Sequence, residues 1–193
     1  MYKLCKTEQS AQRQRELEEG LLRLMNIRRY DEITVSDLCE YLQIPRKSFY
    51  RYFSSKDGAL HALIDHTMMG YEAFLPAYSE GSPRSLRRDL TQFFLFWLEH
   101  KPLLDALAKS GLSGTLVERA MRHATSDENL PHRFLPGDSS EMRKQVVMFC
   151  VSGLMSMTLN WHHNGYSLSA KQMADIAVRI IGQPLFPNVE QFY

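Results

Sequence analysis

Apolar residues recur along almost the whole chain at the three- and four-residue spacing of a helix face. No stretch shows the sustained two-residue alternation of a half-buried strand. The pattern predicts an all-α fold. A first helix is expected from near Thr7 to near Ile27, with Leu17, Leu21, Leu24 and Met25 as its stripe. Thr34 followed by Asp37 reads as a capping box, in which each side chain satisfies the other residue's free backbone N–H, so a second helix should begin at Val35. It runs about two turns, with Val35, Leu38, Cys39 and Leu42 on one face and Ser36, Asp37 and Glu40 on the wet one. Gln43 and Ile44 break the period. Pro45, whose missing N–H is no loss in a first turn, is expected to open a third helix that ends at Tyr52. Within it Ile44, Phe49 and Phe53 should turn inward, leaving Arg46, Lys47, Ser48, Tyr50 and Tyr52 toward the surface.

Ser54 with Asp57 forms a second candidate capping box, ahead of a longer helix whose register carries Leu60, Leu63, Ile64, Thr67, Met68, Tyr71, Phe74 and Leu75. Pro76 to Pro83 reads as a break, with Ser82 as the cap and Pro83 as the first residue of a helix near 84–100 that aligns Leu86, Leu90, Phe93, Phe94 and Trp97. Pro102 restarts the chain into a short helix over 103–110, Gly111 and Gly114 flank the start of another over 114–125, and 126–140 reads as a loop. Two last helices are expected over 139–163 and 169–182, the second opened by Ser169 and Gln172. The first carries Met142, Val146, Phe149, Cys150, Gly153 and Met157 on one face and Val147, Val151, Leu154, Met155 and Leu159 on others; the stripe of the second is Met173, Ile176, Ala177, Ile180 and Ile181. A helix apolar on more than one side must be covered on more than one side. That favours a homodimer joined through a twofold four-helix contact, against a simple central strut within one domain.

Composition adds less: 44% hydrophobic and 23% charged residues over 193 positions describe an ordinary globular protein, and a net charge of +1 excludes a polycation held to nucleic acid by bulk charge. The basic character is local. Acids stop at Glu40 and resume at Asp57, so Arg46, Lys47, Arg51 and Lys56 place four positive charges on one short segment. A solvated basic face is the plainer reading of a charge run. Here the run coincides with two short capped helices, a tight break and interleaved aromatics, which is the arrangement of a helix-turn-helix set to enter a major groove by the start of its second helix. The expected partner is double-stranded DNA.

The string from Thr34 to Leu60, TVSDLCEYLQIPRKSFYRYFSSKDGAL, resembles without a gap the DNA-binding signature of the tetracycline-repressor (TetR) family of bacterial transcriptional regulators. The shared features are a Thr-led second helix, a short turn, a third helix ending in closely spaced aromatics and a Ser-Lys-Asp opening of a long fourth helix. The resemblance implies that Arg46, Lys47 and Ser48 approach base edges, that Tyr50 stands at the groove wall, that Thr34, Tyr52 and Lys56 hold phosphates, and that Phe49 and Phe53 are core. It also implies a homodimer built on the last two long helices, with residues 1–56 as DNA-binding domain and 57–193 as a helical effector-binding and dimerisation domain. There are two departures. Gln43 stands where the family commonly has Gly, which asks it for a strained backbone, and Pro45 replaces a hydroxyl residue.

Phe93, Phe94, Trp97, Met121, Met157 and Trp161 suit the walls of an apolar cavity, although such residues are more often ordinary core. The resemblance adds that members usually bind a small effector among these helices, so an apolar or aromatic ligand that biases operator affinity is one reading. A DNA-binding dimer without a sensor is the other. No enzyme is expected: the adjacent His162 and His163 point about 100° apart on a helix, and no HExxH, Cys/His cluster, Gly-rich phosphate loop or GxSxG turn occurs. No metal or cofactor is called for. Cys5, Cys39 and Cys150 form no framework, the opening MYKLCKTEQS has no signal-peptide stretch and no run is long enough to span a membrane, so the expected location is cytoplasmic.

Overall fold

A computed structural model describes residues 2, 5, 7–74, 85–126 and 139–182. In chain order they form α1 (Glu8–Ile27), a 3-10 turn (Tyr30–Glu32), α2 (Val35–Tyr41), α3 (Arg46–Tyr52), α4 (Lys56–Phe74), α5 (Leu86–Glu99), α6 (Lys101–Lys109), α7 (Ser113–Ala124), α8 (Ser140–His163) and α9 (Ala170–Gly182). No strand forms among the described residues. The fold is all-α, as the periodicity predicts. Leu75, the Ser82–Pro83 helix start and most of the 126–140 loop lie outside the described residues; the helix that follows is capped by Ser85, whose Oγ accepts the Arg88 N–H.

The first three helices pack around Leu17, Leu21, Leu24, Met25, Ile33, Leu38, Phe49 and Phe53, all buried. Gly20 permits the close crossing of α1 and α2, because a Cβ there would meet the Leu42 side chain at 2.7 Å. The helix α4 leaves this head and runs about 28 Å at 1.5 Å per residue, touching α1, α5 and α7. The same apolar cluster continues through Leu103, Leu104, Leu107, Leu116 and Met155, so the core crosses residue 56 without a gap. Across α4 and α7, Asp65 and Arg119 form a two-pronged ion pair, and the Tyr2 hydroxyl donates to the same carboxylate at 2.8 Å.

A second cluster of Leu90, Phe94, Trp161, Ala170, Met173, Ala174 and Ala177 packs α5 against α8 and α9. The other faces of these last two helices are uncovered: Met142, Val146, Met148 and Phe149 on α8, and Ile176, Ile180 and Ile181 on α9, are exposed. Phe149 is 75% exposed, and an open groove of about 430 Å³ runs beside it between Gln145, Met148, Ser152, Gly153 and Ser156. Among the described residues no helix is long and apolar enough to cross a membrane.

Candidate nucleic-acid interface

The head is built from local signals. Thr34 caps α2: its Oγ1 accepts the Asp37 N–H at 3.1 Å, while Asp37 Oδ2 accepts the Thr34 N–H at 2.7 Å and the Thr34 hydroxyl at 2.6 Å. These two bonds from Thr34, with Arg28 adding attraction, hold the Asp37 carboxyl below its usual range. At the other end of α2 the Gln43 N–H donates to Glu40 O at 3.0 Å and the Ile44 N–H to Cys39 O at 2.9 Å, the two bonds of a Schellman stop. That stop puts Gln43 at φ +52°, the left-handed backbone that Gly adopts freely. Pro45, expected inside α3, stands one residue earlier: its ψ of 142° is extended, so it caps the helix and Arg46 is the first helical residue. The second cap also moves by one. Ser55, not Ser54, accepts the Gly58 N–H at 3.1 Å, since adjacent serines offer the same chemistry.

On α3, Phe49 and Phe53 are fully buried and Ile44 is half-buried. Arg46 and Lys47 are exposed, Ser48 is half-buried, Tyr50 is 50% exposed, and Thr34 is exposed at the start of α2. Tyr52 corrects the sequence reading, being only 7% exposed. It lies three residues after Phe49, on the same side of a seven-residue helix, and its ring packs 6.4 Å from Phe53.

Charge separates α3 from the rest of the head. Arg13 pairs with Glu16, Arg23 with Glu19, Arg28 with Asp37 and Arg29 with Asp31, while Arg15 donates to Gln12. Among the described residues no carboxylate pairs with Arg46, Lys47 or Arg51. Three uncompensated cations on one face of a short helix create a local field that attracts a polyanion, although the whole chain is close to neutral.

Lys56, expected to hold phosphate, is half-buried at the start of α4. Its ammonium donates to Tyr30 O and Ile33 O, both at 2.5 Å, and lies 4.0 Å above the Tyr30 ring, so two of its three N–H groups serve the turn before α2. The carbonyls at the exit of the 3-10 turn are the negative ends that draw it in. The Tyr30 hydroxyl donates to Asp57 Oδ1 at 2.5 Å, and burial, followed by that carboxylate, raises the phenol well above its ordinary pKa. Tyr30 escaped the sequence reading because no spacing rule connects residues 27 apart.

Ring contacts link four of the six candidate effector residues, since Phe93 meets Phe94 at 5.3 Å and Trp97 at 6.5 Å while Phe94 meets Trp161. Phe94, Met157 and Trp161 belong to the second apolar cluster and Trp97 to the first, while Phe93 touches both. The Phe94 and Trp161 rings meet edge to face at 5.7 Å, and the Trp161 indole N–H donates to Leu168 O at 2.8 Å. Met121, half-buried on α7, accepts the Ser152 hydroxyl on its sulfur at 3.0 Å. His162 bonds Asp105 at 2.7 Å rather than acting with His163. Among the described residues no group of three His, Cys, Asp or Glu is placed to hold a metal ion.

Comparison with known proteins meets this geometry at the head. Residues 19–63 match the model of the bacterial regulatory proteins, tetR family. The HTH-type transcriptional regulator EthR of Mycolicibacterium smegmatis is 33% identical over 76 residues, covering 37% of this chain and 35% of that protein, so the likeness spans about a third of the curated relative. Over nearly the full length, the fatty acid degradation regulator FadR from Bacillus halodurans superimposes with a TM-score of 0.54 at 12% identity, covering 94% of this chain and 98% of that one. At that identity the likeness is one of fold.

Proposed function

We propose, from the match of residues 19–63 to the tetR family of bacterial regulatory proteins, that this chain belongs to that family and is a dimeric, sequence-specific DNA-binding transcriptional repressor. The observation that carries the reading is the contrast in charge: the other arginines of the head have side-chain partners, whereas Arg46, Lys47 and Arg51 on α3 have no carboxylate partner among the described residues. In this reading Arg46, Lys47 and Ser48 face base edges, Tyr50 rests on the groove wall and the start of α2 at Thr34 meets phosphate. Tyr52 is assigned a packing role, with only its hydroxyl within reach of the backbone of a duplex. Lys56 steadies the turn and has one N–H left for phosphate.

Two copies are required, since one seven-residue helix contacts few base pairs and the net charge gives little non-specific affinity. The uncovered faces of α8 and α9 supply the joint. Modulation by a small apolar or aromatic effector belongs to the same proposal, with Phe93, Phe94, Trp97, Met121, Met157 and Trp161 as its surroundings. The edge-to-face packing of Phe94 on Trp161 favours a second reading, a dimer of the same fold without a sensor, because an effector must part rings that already satisfy each other.

The test is selection of bound duplexes from a random pool, with the mass in solution measured on the same material. A pair of related half-sites about one helical turn or a multiple apart, bound by a dimer, is the expected result. A lone subunit that ignores every duplex at low ionic strength ends the reading. Thermal-shift measurements against apolar and aromatic compounds separate the two versions: a specific shift supports the sensor, and none across the set supports the dimer without one.

A further inference from the structure

The turn at Tyr30 touches two parts of the molecule that are far apart in sequence. On one side it grips the first two residues of α4: Lys56 Nζ donates to the Tyr30 carbonyl and stands over its ring, and the Tyr30 hydroxyl donates to Asp57. Those two residues open α4, so their placement sets the direction in which α4 leaves the head. On the other side the Tyr30 N–H donates to Ser110 Oγ at 3.0 Å, at the end of α6. Around it, Lys109 Nζ donates to Ile27 O at 2.9 Å and Asn26 O at 3.3 Å, closing the end of α1, while Arg29 Nη1 donates back to Lys109 O at 3.3 Å.

The helix α6 is itself tied to α8 by the Asp105–His162 bond. A continuous run of polar contacts therefore leads from α8, through Asp105 and the Lys109–Ser110 end of α6, to Tyr30 and on to the start of α4. Apolar packing alone lets a helix slide or roll at small cost; hydrogen bonds to named atoms define one position.

We propose that Tyr30 is a positioning residue for DNA reading, which with Lys109 and Ser110 locks the head onto α6 and so sets the separation of the two α3 helices in the dimer. The inference rests on the operator-reading dimer above and deepens it. Contacts within a half-site depend on α3 itself, so the latch acts on how the two half-sites are spaced and not on which bases each one contains.

The experiment uses the full chain, the duplex recovered by selection with the wild type, versions of it lengthened and shortened by one base pair between half-sites, and a duplex carrying one half-site. Tyr30→Phe removes the hydroxyl bond to Asp57, Ser110→Ala removes the acceptor of the Tyr30 N–H, and Ser110→Thr restores it. Both disabling variants should lower the preference for the native spacing over the altered ones by about three- to tenfold. Affinity for the single half-site and the salt slope should stay at wild-type values, and Ser110→Thr should recover the preference. Urea midpoints establish that each protein is folded, and Ser110→Ala, a change at the end of a helix, keeps the test open if Tyr30→Phe is unstable. An unchanged spacing preference in both variants overturns the latch and leaves operator reading standing. A parallel fall in half-site affinity also overturns it, by making Tyr30 merely structural. Absence of duplex binding by the wild type removes the operator reading and the latch together.

Discussion

The helices α3 and α8 both present uncovered faces, and the two faces differ in kind. On α3 the surplus is charge, with Arg46, Lys47 and Arg51 lacking carboxylate partners among the described residues, beside an exposed Tyr50. On α8 it is hydrocarbon, with Met142, Val146, Met148 and Phe149 open to water. Unpaired charge is tolerated in solvent and is held for an anion; a continuous apolar strip is unfavourable in solvent and is held for another apolar surface. The difference is what the proposed partners rest on. In that proposal a polyanion meets α3 and a second copy covers α8, where α9 adds Ile176, Ile180 and Ile181 to the same kind of surface.

The sharpest way to break this contrast is to put charge on the apolar side. Phe149→Asp should leave the subunit folded, because the ring is 75% exposed and contributes little within one chain. It should split the dimer, and with it the gain from binding two half-sites at once, lowering operator affinity by about 100-fold or more. Sedimentation and a binding isotherm read both effects. An unchanged dimer mass would move the joint elsewhere. The corresponding change on the charged side is smaller. Arg46→Ala or Lys47→Ala should weaken the cognate duplex by about 1–3 kcal/mol if the lost contact is bidentate to a base, and should relax discrimination among operator variants. Full retention of sequence preference would take that residue off the base edges.

The two regions were not equally legible. In the head the signals are local: Thr34 and Asp37 are three residues apart, and the cap they predict is present with both bonds formed. The same holds for the stripe of α1 and for Ser169 as the start of α9, where it accepts the Gln172 N–H. Beyond the local range periodicity loses resolution. The apolar stripe of α9 divides, with Met173 and Ala177 buried against α5 and Ile176 and Ile180 facing out, because a helix apolar around much of its girth does not announce which part faces its own chain. Tyr52 was misplaced for a related reason: its hydroxyl suggested surface, while its three-residue offset from Phe49 placed the ring inside. The pairs that lock the structure together, Tyr30 with Asp57 and Asp65 with Arg119, join residues 27 and 54 apart and carry no spacing signature at all.

The smallest predicted effect concerns the turn between α2 and α3, and it sharpens the comparison by asking what the head retains at the expense of stability. Among the described residues the same helix stop is built three times. After α6, Gly111 takes φ +69°, with the Leu112 N–H donating to Leu107 O at 2.8 Å; after α8, Gly165 takes φ +65°, with the Tyr166 N–H donating to Trp161 O at 2.9 Å. After α2 the position belongs to Gln43, which makes the matching bonds at φ +52° with a side chain that crowds its own carbonyl. Gln43→Gly relieves that crowding and gives back part of the gain through the freer unfolded chain, so it should stabilise the protein by about 0.5–1 kcal/mol, read as a higher urea midpoint at an unchanged slope. Operator affinity should hold or fall slightly, since Gln43 is exposed beside the charged face of α3 and its loss leaves the three cations in place. A destabilised Gln43→Gly variant would mean that the side chain makes a contact worth more than the strain it imposes.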